Sequence, residues 1–454
     1  TIVLPLSVTA DGSPLGFQGF QRPGGRGVGT RNFVVILGSS GRSAAFVRRV
    51  ERLFRNRSRG SVDGVVAVAH TEGTEAGANN EDKVLRCLAG FIIHPNVGAC
   101  LVVDHSTNPL RQALEALLSS DAVRFAGLSE LPLQWFETTD DAEGDLERAA
   151  AKTELLLGAA AAAERSWQPA SCLTVAQQCG GSDAFSGVNG NPASGGAVHR
   201  LISAGGKSLL AETDELIGAE SYILAQTRDR ATEEKYLEVT ARYHDYARRH
   251  GHTAEGNPSG GNKFRGLYNI ALKSLGAAMK KPPGVRLEGV IEYGERLVAD
   301  GGGYFFMDSP GNDPESIAGQ VASGCNVIHF ITGNGSITNF PFVPTIKIIT
   351  TTTRWELLSK DMDFNAGRLQ EGCTLDQLSE ELFQETLRVA GGKRTVGEMA
   401  GHWQVSLWRD WALPEGANEQ LQESTLMEEE VLGTPLAARS APTGAENIAG
   451  TLGG

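Results

Sequence analysis

Phe33-Val34-Val35-Ile36-Leu37 is an unbroken apolar, largely β-branched run, and in the residues after it Phe46, Val47, Val50, Leu53 and Phe54 return at helical spacing. An apolar run this short reads as a strand buried on both faces, and the change to a period of about 3.6 reads as an amphipathic helix laid over it. The βα unit repeats: Val65–Val68 before a helix around Lys83–Ile93, Cys100–Val103 before Leu110–Leu118, and Val123–Leu128 before an Ala-rich helix over 142–165. Strands that alternate with helices predict a parallel sheet. A second block begins near Leu173, with strands expected at Leu173–Ala176, Ser208–Ala211, Tyr304–Met307, Asn326–Ile331 and Thr345–Ile349 and a helical insertion at 215–250.

The fold expected is therefore α/β, with two Rossmann-like lobes built on mostly parallel sheets. Residues 1–32 form an N-terminal lead-in, 33–166 the first lobe and 167–412 the second, and Trp167–Ser171 serves as the linker. An acidic, Gln-, Ser- and Gly-rich tail follows at 413–454, where Leu426, Met427, Val431 and Leu432 offer a docking segment for a protein partner.

Across 454 residues the formal net charge is −13, with cations interspersed rather than gathered in a stripe, which argues against nucleic acid as a partner. No run reaches the ~20 apolar residues a membrane span needs. Residues 1–15 lack a signal peptide's basic start and apolar core. Six cysteines without a repeated CxxC spacing fit a reducing compartment. The expected location is cytoplasmic, or an organelle matrix after removal of a targeting segment, since the sequence starts at Thr1.

Polar, glycine-rich segments follow the carboxyl ends of the expected strands, where open α/β sheets collect ligands. They are His70–Glu75, Asp104-His105-Ser106, Gln177–Asp183, Glu212–Glu215 and Thr332–Ser336. Any one of them reads better as an ordinary polar loop; five together favour a site. His70 and Glu72 offer an imidazole and a carboxylate to a divalent metal, and His94 a second imidazole or base, or simply a helix end. Cys179 is a thiolate ligand or nucleophile, or a small residue at a tight turn. Asp183 is a catalytic carboxylate or a helix cap. Lys263 closes a turn-forming run, Asn257–Lys263, that would present a cation to a carboxylate; Lys273 is a base if desolvated. Arg26, Arg31 and Asn32, in the Gly-rich segment Gly24–Asn32, read as an anion-binding lead-in, with Ser182, Asn257 and Asn262 as further substrate contacts and Glu212 as a further metal ligand.

Arg26-Gly27-Val28-Gly29-Thr30-Arg31-Asn32, His70-Thr71-Glu72-Gly73, His94-Pro95-Asn96 and Cys179–Gly187 occur in an order that resembles the altronate/galactarate dehydratase family, which includes the sulfolactate sulfo-lyase large subunit. Asn191-Pro192, Glu215–Glu220, Gly261-Asn262-Lys263, Lys273–Gly276, Pro344–Lys347 and Asp361-Met362-Asp363 extend the resemblance to about residue 411. The resemblance implies a hydro-lyase that removes water from a sugar acid or similar hydroxy acid to give a 2-keto-3-deoxy acid, assisted by a divalent metal, iron or manganese, in a homo-oligomer. Family members often carry a small N-terminal β domain, which the few residues before Gly16 do not supply. The family's pattern also places cysteines where this sequence has Arg42, Thr74 and Thr107, acidic residues at Ala271 and Leu272, and an arginine at Asn334. Two readings therefore stand: a divergent metal-assisted dehydratase, or a non-catalytic paralogue without metal that serves as an assembly subunit or binds a sugar acid without turnover.

Overall fold

The computed structural model describes residues 15–409 except positions 56, 58, 74–79, 107–109 and 140. Thr74, Glu75, Thr107 and the whole tail, with its expected docking segment, lie outside the described residues. The strands in chain order are β1 (Gly16–Arg22), β2 (Gly27–Gly29), β3 (Phe33–Gly38), β4 (Gly64–Val68), β5 (Val97–His105), β6 (Leu133–Thr138), β7 (Ser166–Pro169), β8 (Thr174–Cys179), β9 (Lys207–Leu210), β10 (Leu287–Ile291), β11 (Gly303–Met307), β12 (Val327–Thr332), β13 (Thr345–Ile349) and β14 (Phe364–Asn365).

Two sheets are wholly parallel: a four-stranded one in the order β4-β3-β5-β6 and a seven-stranded one in the order β10-β11-β9-β8-β12-β13-β14. The opening apolar run behaves as its pattern demands. Val34 and Ile36 of β3 pack with Val47, Val50 and Phe54 of the following helix, while Phe33, Val35 and Leu37 point into a different core. That second core is shared, for it also holds Ala176, Leu209, Met307 and Phe330 of the seven-stranded sheet. Between the sheets, helix Glu81–Ile93 packs on helix Asp313–Ala322, and they approach so closely that a Cβ on Gly90 would lie 2.3 Å from the Ala322 carbonyl oxygen.

Two expectations need correction. Val123–Leu128 is not a strand: Asp121 accepts the amides of Val123 and Arg124, Gly127 takes a left-handed φ of 73°, and the strand forms instead at Leu133–Thr138. Trp167–Ser171 is not a free linker, because β7 pairs antiparallel with β1 and joins it and β2 in a third small sheet. No helix among the described residues is long and apolar enough to cross a membrane.

Candidate functional site

In the seven-stranded sheet β9, β11 and β10 lie to one side of β8, and β12, β13 and β14 to the other. Chain direction across the sheet therefore reverses at β8/β12, and the carboxyl ends of strands at such a reversal are where open α/β sheets gather ligands. Cys179 ends β8 there. After it, Gly180 and Gly181 (φ 65°) fold the backbone back so tightly that a Cβ on Gly181 would sit 2.1 Å from Asn334 Nδ2, in the loop after β12. Glu212 follows β9 with a φ of 71°, the only non-glycine residue in the left-handed region among those described. Its strained backbone is held by Ser309 Oγ, which accepts the Glu212 amide at 2.9 Å.

These turns bring three donors together: Cys179 Sγ lies 3.4 Å from Glu212 Oε1 and 3.2 Å from Glu215 Oε2, all buried. Each carboxylate has its own lysine. Lys273 donates to Glu215 Oε1 at 2.6 Å and to Asn257 Oδ1 at 2.5 Å, and Lys280 pairs with Glu212. Gln178 Nε2 donates to Glu212 at 2.7 Å, and Asn257 Nδ2 bridges Asp214 and Glu215. Lys273 reaches the cluster from helix Ile270–Ala278, which Asn269 caps by accepting the Leu272 amide.

So much charge out of water spreads the protonation equilibria. Burial, then the neighbouring Glu212 and Glu215 carboxylates, push the Cys179 thiol well above its usual range. Burial raises Glu212 to about 8 against the pull of Lys280, Asp313 to about 7, and Asp214 to about 6. For Glu215 burial acts upward and is the largest single influence, but Lys273, Lys280 and the Asn257 amide together outweigh it and the carboxyl is held below its ordinary value. Burial alone would lower Lys273, yet the Glu215 charge raises it. Lys273 is thus held as a cation, not as the neutral amine that a base requires.

Beside this cluster lies a cavity of about 300 Å³, lined by Lys273, Ser182, Asp183 and Asn191 and by apolar Leu267 and Met279. Asp183 is fixed by Ser186 at 3.0 Å and Thr350 at 2.9 Å, and Asn191 Oδ1 is enclosed with no partner among the described residues. Asn262 Nδ2 donates to the Ser182 carbonyl at 2.8 Å, so two expected substrate contacts, Asn257 and Asn262, are placed against Lys273 and Ser182.

Other expected site residues stand apart. In His70, Nε2 donates to Gly38 O at 2.9 Å and Nδ1 accepts the Glu72 amide at 3.2 Å, so neither ring nitrogen is free for a metal in this arrangement. Glu72 bonds Asn80 and Arg409. His94 is tied in the same way between Cys325 O and the Asn96 amide, fully buried, and its imidazole is pushed down to about 3 by burial. Arg31 makes a two-pronged pair with Glu398 at 2.7 and 2.8 Å; Arg26 donates to Val97 O, and Asn32 bonds Asp63, Ser61 and Ala160. These three lie within the structure instead of presenting an anion site. Lys263 is exposed on the short helix Gly260–Phe264. Sequence reasoning held Gln178 and Glu215 within candidate segments but gave them no role, and it passed over Lys280 and Asp313. Spacing offered a signal for Glu215 and Lys280: Glu212/Glu215 and Lys273/Lys280 are three and seven residues apart, intervals that return side chains to one face of a turn or helix.

Residues 170–413 match the model of the D-galactarate/altronate dehydratase C-terminal domain, and residues 19–161 that of the D-galactarate dehydratase/altronate hydrolase second domain. Altronate dehydratase of Escherichia coli is 30% identical over 390 residues, covering 84% of this chain and 75% of the relative. The (2R)-sulfolactate sulfo-lyase subunit beta of Chromohalobacter salexigens is 29% identical over 398 residues, covering 87% of this chain and 97% of the relative. The L-threo-forming galactarate dehydratase of Escherichia coli is 36% identical over 235 residues, 51% of this chain and 44% of the relative. With both domain models matched in order and the likeness extending over most of its length, the chain belongs to the galactarate/altronate dehydratase family.

Proposed function

We propose that the protein is a hydro-lyase that eliminates water from an anionic sugar acid at the cavity beside Lys273. The observation that carries this reading is the buried Lys273–Glu215 pair opening onto a cavity lined by Asp183, Ser182 and Asn191. Dehydration of a hydroxy acid needs a cation for the substrate carboxylate, a base for the proton beside it and an acid for the departing hydroxyl. Lys273, held protonated, serves as that cation or as the acid. Glu212 and Asp313, pushed up to about 8 and 7, are carboxyls able to hold or release a proton near neutral pH. Asp183, fixed by Ser186 and Thr350, orients substrate hydroxyls with Ser182 and Asn191.

Cys179, Glu212 and Glu215 suit a divalent cation such as iron or manganese: one soft and two hard donors, with the enclosed acceptors Gln178 Oε1 and Asp214 Oδ1 left without partners among the described residues. Such an ion would supply positive charge against the enolate that forms when the proton leaves. A second reading, a sugar-acid-binding or assembly subunit without turnover, draws support from the lysines that already neutralise both glutamates. We also infer that the lobes, 33–166 and 167–412, are Rossmann-like, from the reversals at β3/β5 and β8/β12, and that the protein works as an oligomer, as the relative named a subunit suggests.

The test is keto-acid formation from a panel of aldonic and aldaric acids, with iron, manganese or magnesium added anaerobically, by the protein and its Lys273→Met variant. Product that depends on Lys273 supports the hydro-lyase. Saturable binding of an acid without product, under conditions where a related dehydratase turns over, would favour the second reading.

A further inference from the structure

A separate cavity of about 250 Å³ lies among Arg86, Asp121, Arg124, Phe125, Glu295 and Arg296. Two of its arginines are neutralised: Arg86 pairs with Asp82 at 2.9 Å, and Arg124 with Asp121 at 3.2 Å and Glu295 at 2.8 Å. Arg296 is different. Among the described residues no carboxylate pairs with it, and its Nη1 is enclosed with no acceptor. Arg26 and Lys207 lie near it with charges of its own sign, and burial pulls its pKa down to about 10. The guanidinium rests on Gly324 (φ 107°), where a Cβ would come within 2.3 Å of Nη1. The segment carrying it is pinned on both sides, since Glu295 Oε2 accepts the Glu292 amide at 2.9 Å and the Leu297 amide donates to Ser323 O at 3.0 Å. This lies at the amino ends of β9 and β12, the edge of the sheet away from the Cys179 cluster.

We propose that Arg296 is the centre of a second binding site, one for a small oxyanion bearing phosphoryl or paired carboxylate oxygens. A part-buried cation with no carboxylate of its own disfavours the folded state, and a bound oxyanion supplies both the charge and a two-pronged acceptor for the guanidinium. Asp121 and Glu295, committed to Arg124 on the wall, limit the ligand to a compact one. The proposal does not rest on the hydro-lyase reading, and its test reads binding and stability, not turnover.

Inorganic phosphate and malonate, at constant ionic strength, are the probes, titrated calorimetrically into the full chain and into its Arg296→Met, Arg124→Gln and Lys273→Met variants. One saturable equivalent of either probe is expected, weakened at least tenfold by Arg296→Met, weakened also by Arg124→Gln, which frees two carboxylates, and unchanged by Lys273→Met. Phosphate alone identifies a phosphoryl ligand, malonate alone a carboxylate one. Without anion, Arg296→Met should melt at the same temperature or higher than the unaltered protein, because it removes an uncompensated charge. Saturation by neither probe, loss of binding in Lys273→Met, or a lower anion-free melting temperature for Arg296→Met would overturn the proposal.

Discussion

Replacing Lys273 by Met isolates the electrostatics of the candidate site. In the unaltered protein Glu215 accepts from Lys273 at 2.6 Å and its folded pKa lies below the unfolded value, so its contribution to stability is present above about pH 4.5 and fades as pH falls through the folded pKa. Removing the ammonium leaves burial and the adjacent Asp214 and Glu212 opposed by Lys280 and the Asn257 amide alone, and the folded pKa is expected to move above the unfolded one. A carboxyl in that position loses about 1.4 kcal/mol of stability per pH unit from about 4.5 up to its folded pKa. A folded pKa of 7 or more would make that about 3.5 kcal/mol over the ~2.5 units to pH 7, the upper bound of the loss and within the ~3–5 kcal/mol typical of a broken buried pair. The assay is urea unfolding of chelator-treated protein at pH 5, 6 and 7. The destabilisation should be small at pH 5 and largest at pH 7, and Lys273→Met combined with Glu215→Gln should regain much of it. A loss independent of pH, or a double variant no better than the single one, would show that the pair is not electrostatically coupled as described.

Arg31→Met removes both prongs to Glu398, which keeps Arg394 at 3.3 Å and the Thr395 amide at 2.9 Å, so the cost should be about 2–3 kcal/mol in unfolding free energy, without altering the cavity beside Lys273. Gly181→Ala forces a Cβ into Asn334 at a φ of 65°, and should lower the melting temperature by several degrees. Cys179, whose thiol is held protonated by burial and two carboxylates, should resist iodoacetamide at pH 8 while Cys172 and Cys373, both partly exposed, react first; peptide mass mapping reads the order.

The parallel sheets were legible because their cause is local. In Phe33–Leu37 every side chain is buried, alternate ones in different cores, so the run is apolar throughout and contrasts with the amphipathic helix after it. The missed sixth strand, Leu133-Gln134-Trp135-Phe136-Glu137-Thr138, is only part-buried and carries Gln and Glu, so its pattern is weaker than the misleading Val123–Leu128. Cys179 with its two glycines was visible as a turn beside a reactive side chain, and Glu212 as an acid after a strand. Their partnership was not visible. Lys280 meets Glu212 across 68 residues and Lys273 meets Glu215 across 58, contacts that exist only once helix Ile270–Ala278 packs against the turn after β9.

The histidines and arginines show the converse. His94 and Arg31 stand in motif-like, polar surroundings, yet the fold spends them on Cys325 O and on Glu398, 231 and 367 residues away. From sequence alone came the α/β class, the order of most strands and the family, because periodicity and motif order are properties of neighbouring residues. Which polar groups converge, which are satisfied by backbone and which charge is left uncompensated were decided only by tertiary structure, because burial and pairing depend on residues far apart in the chain.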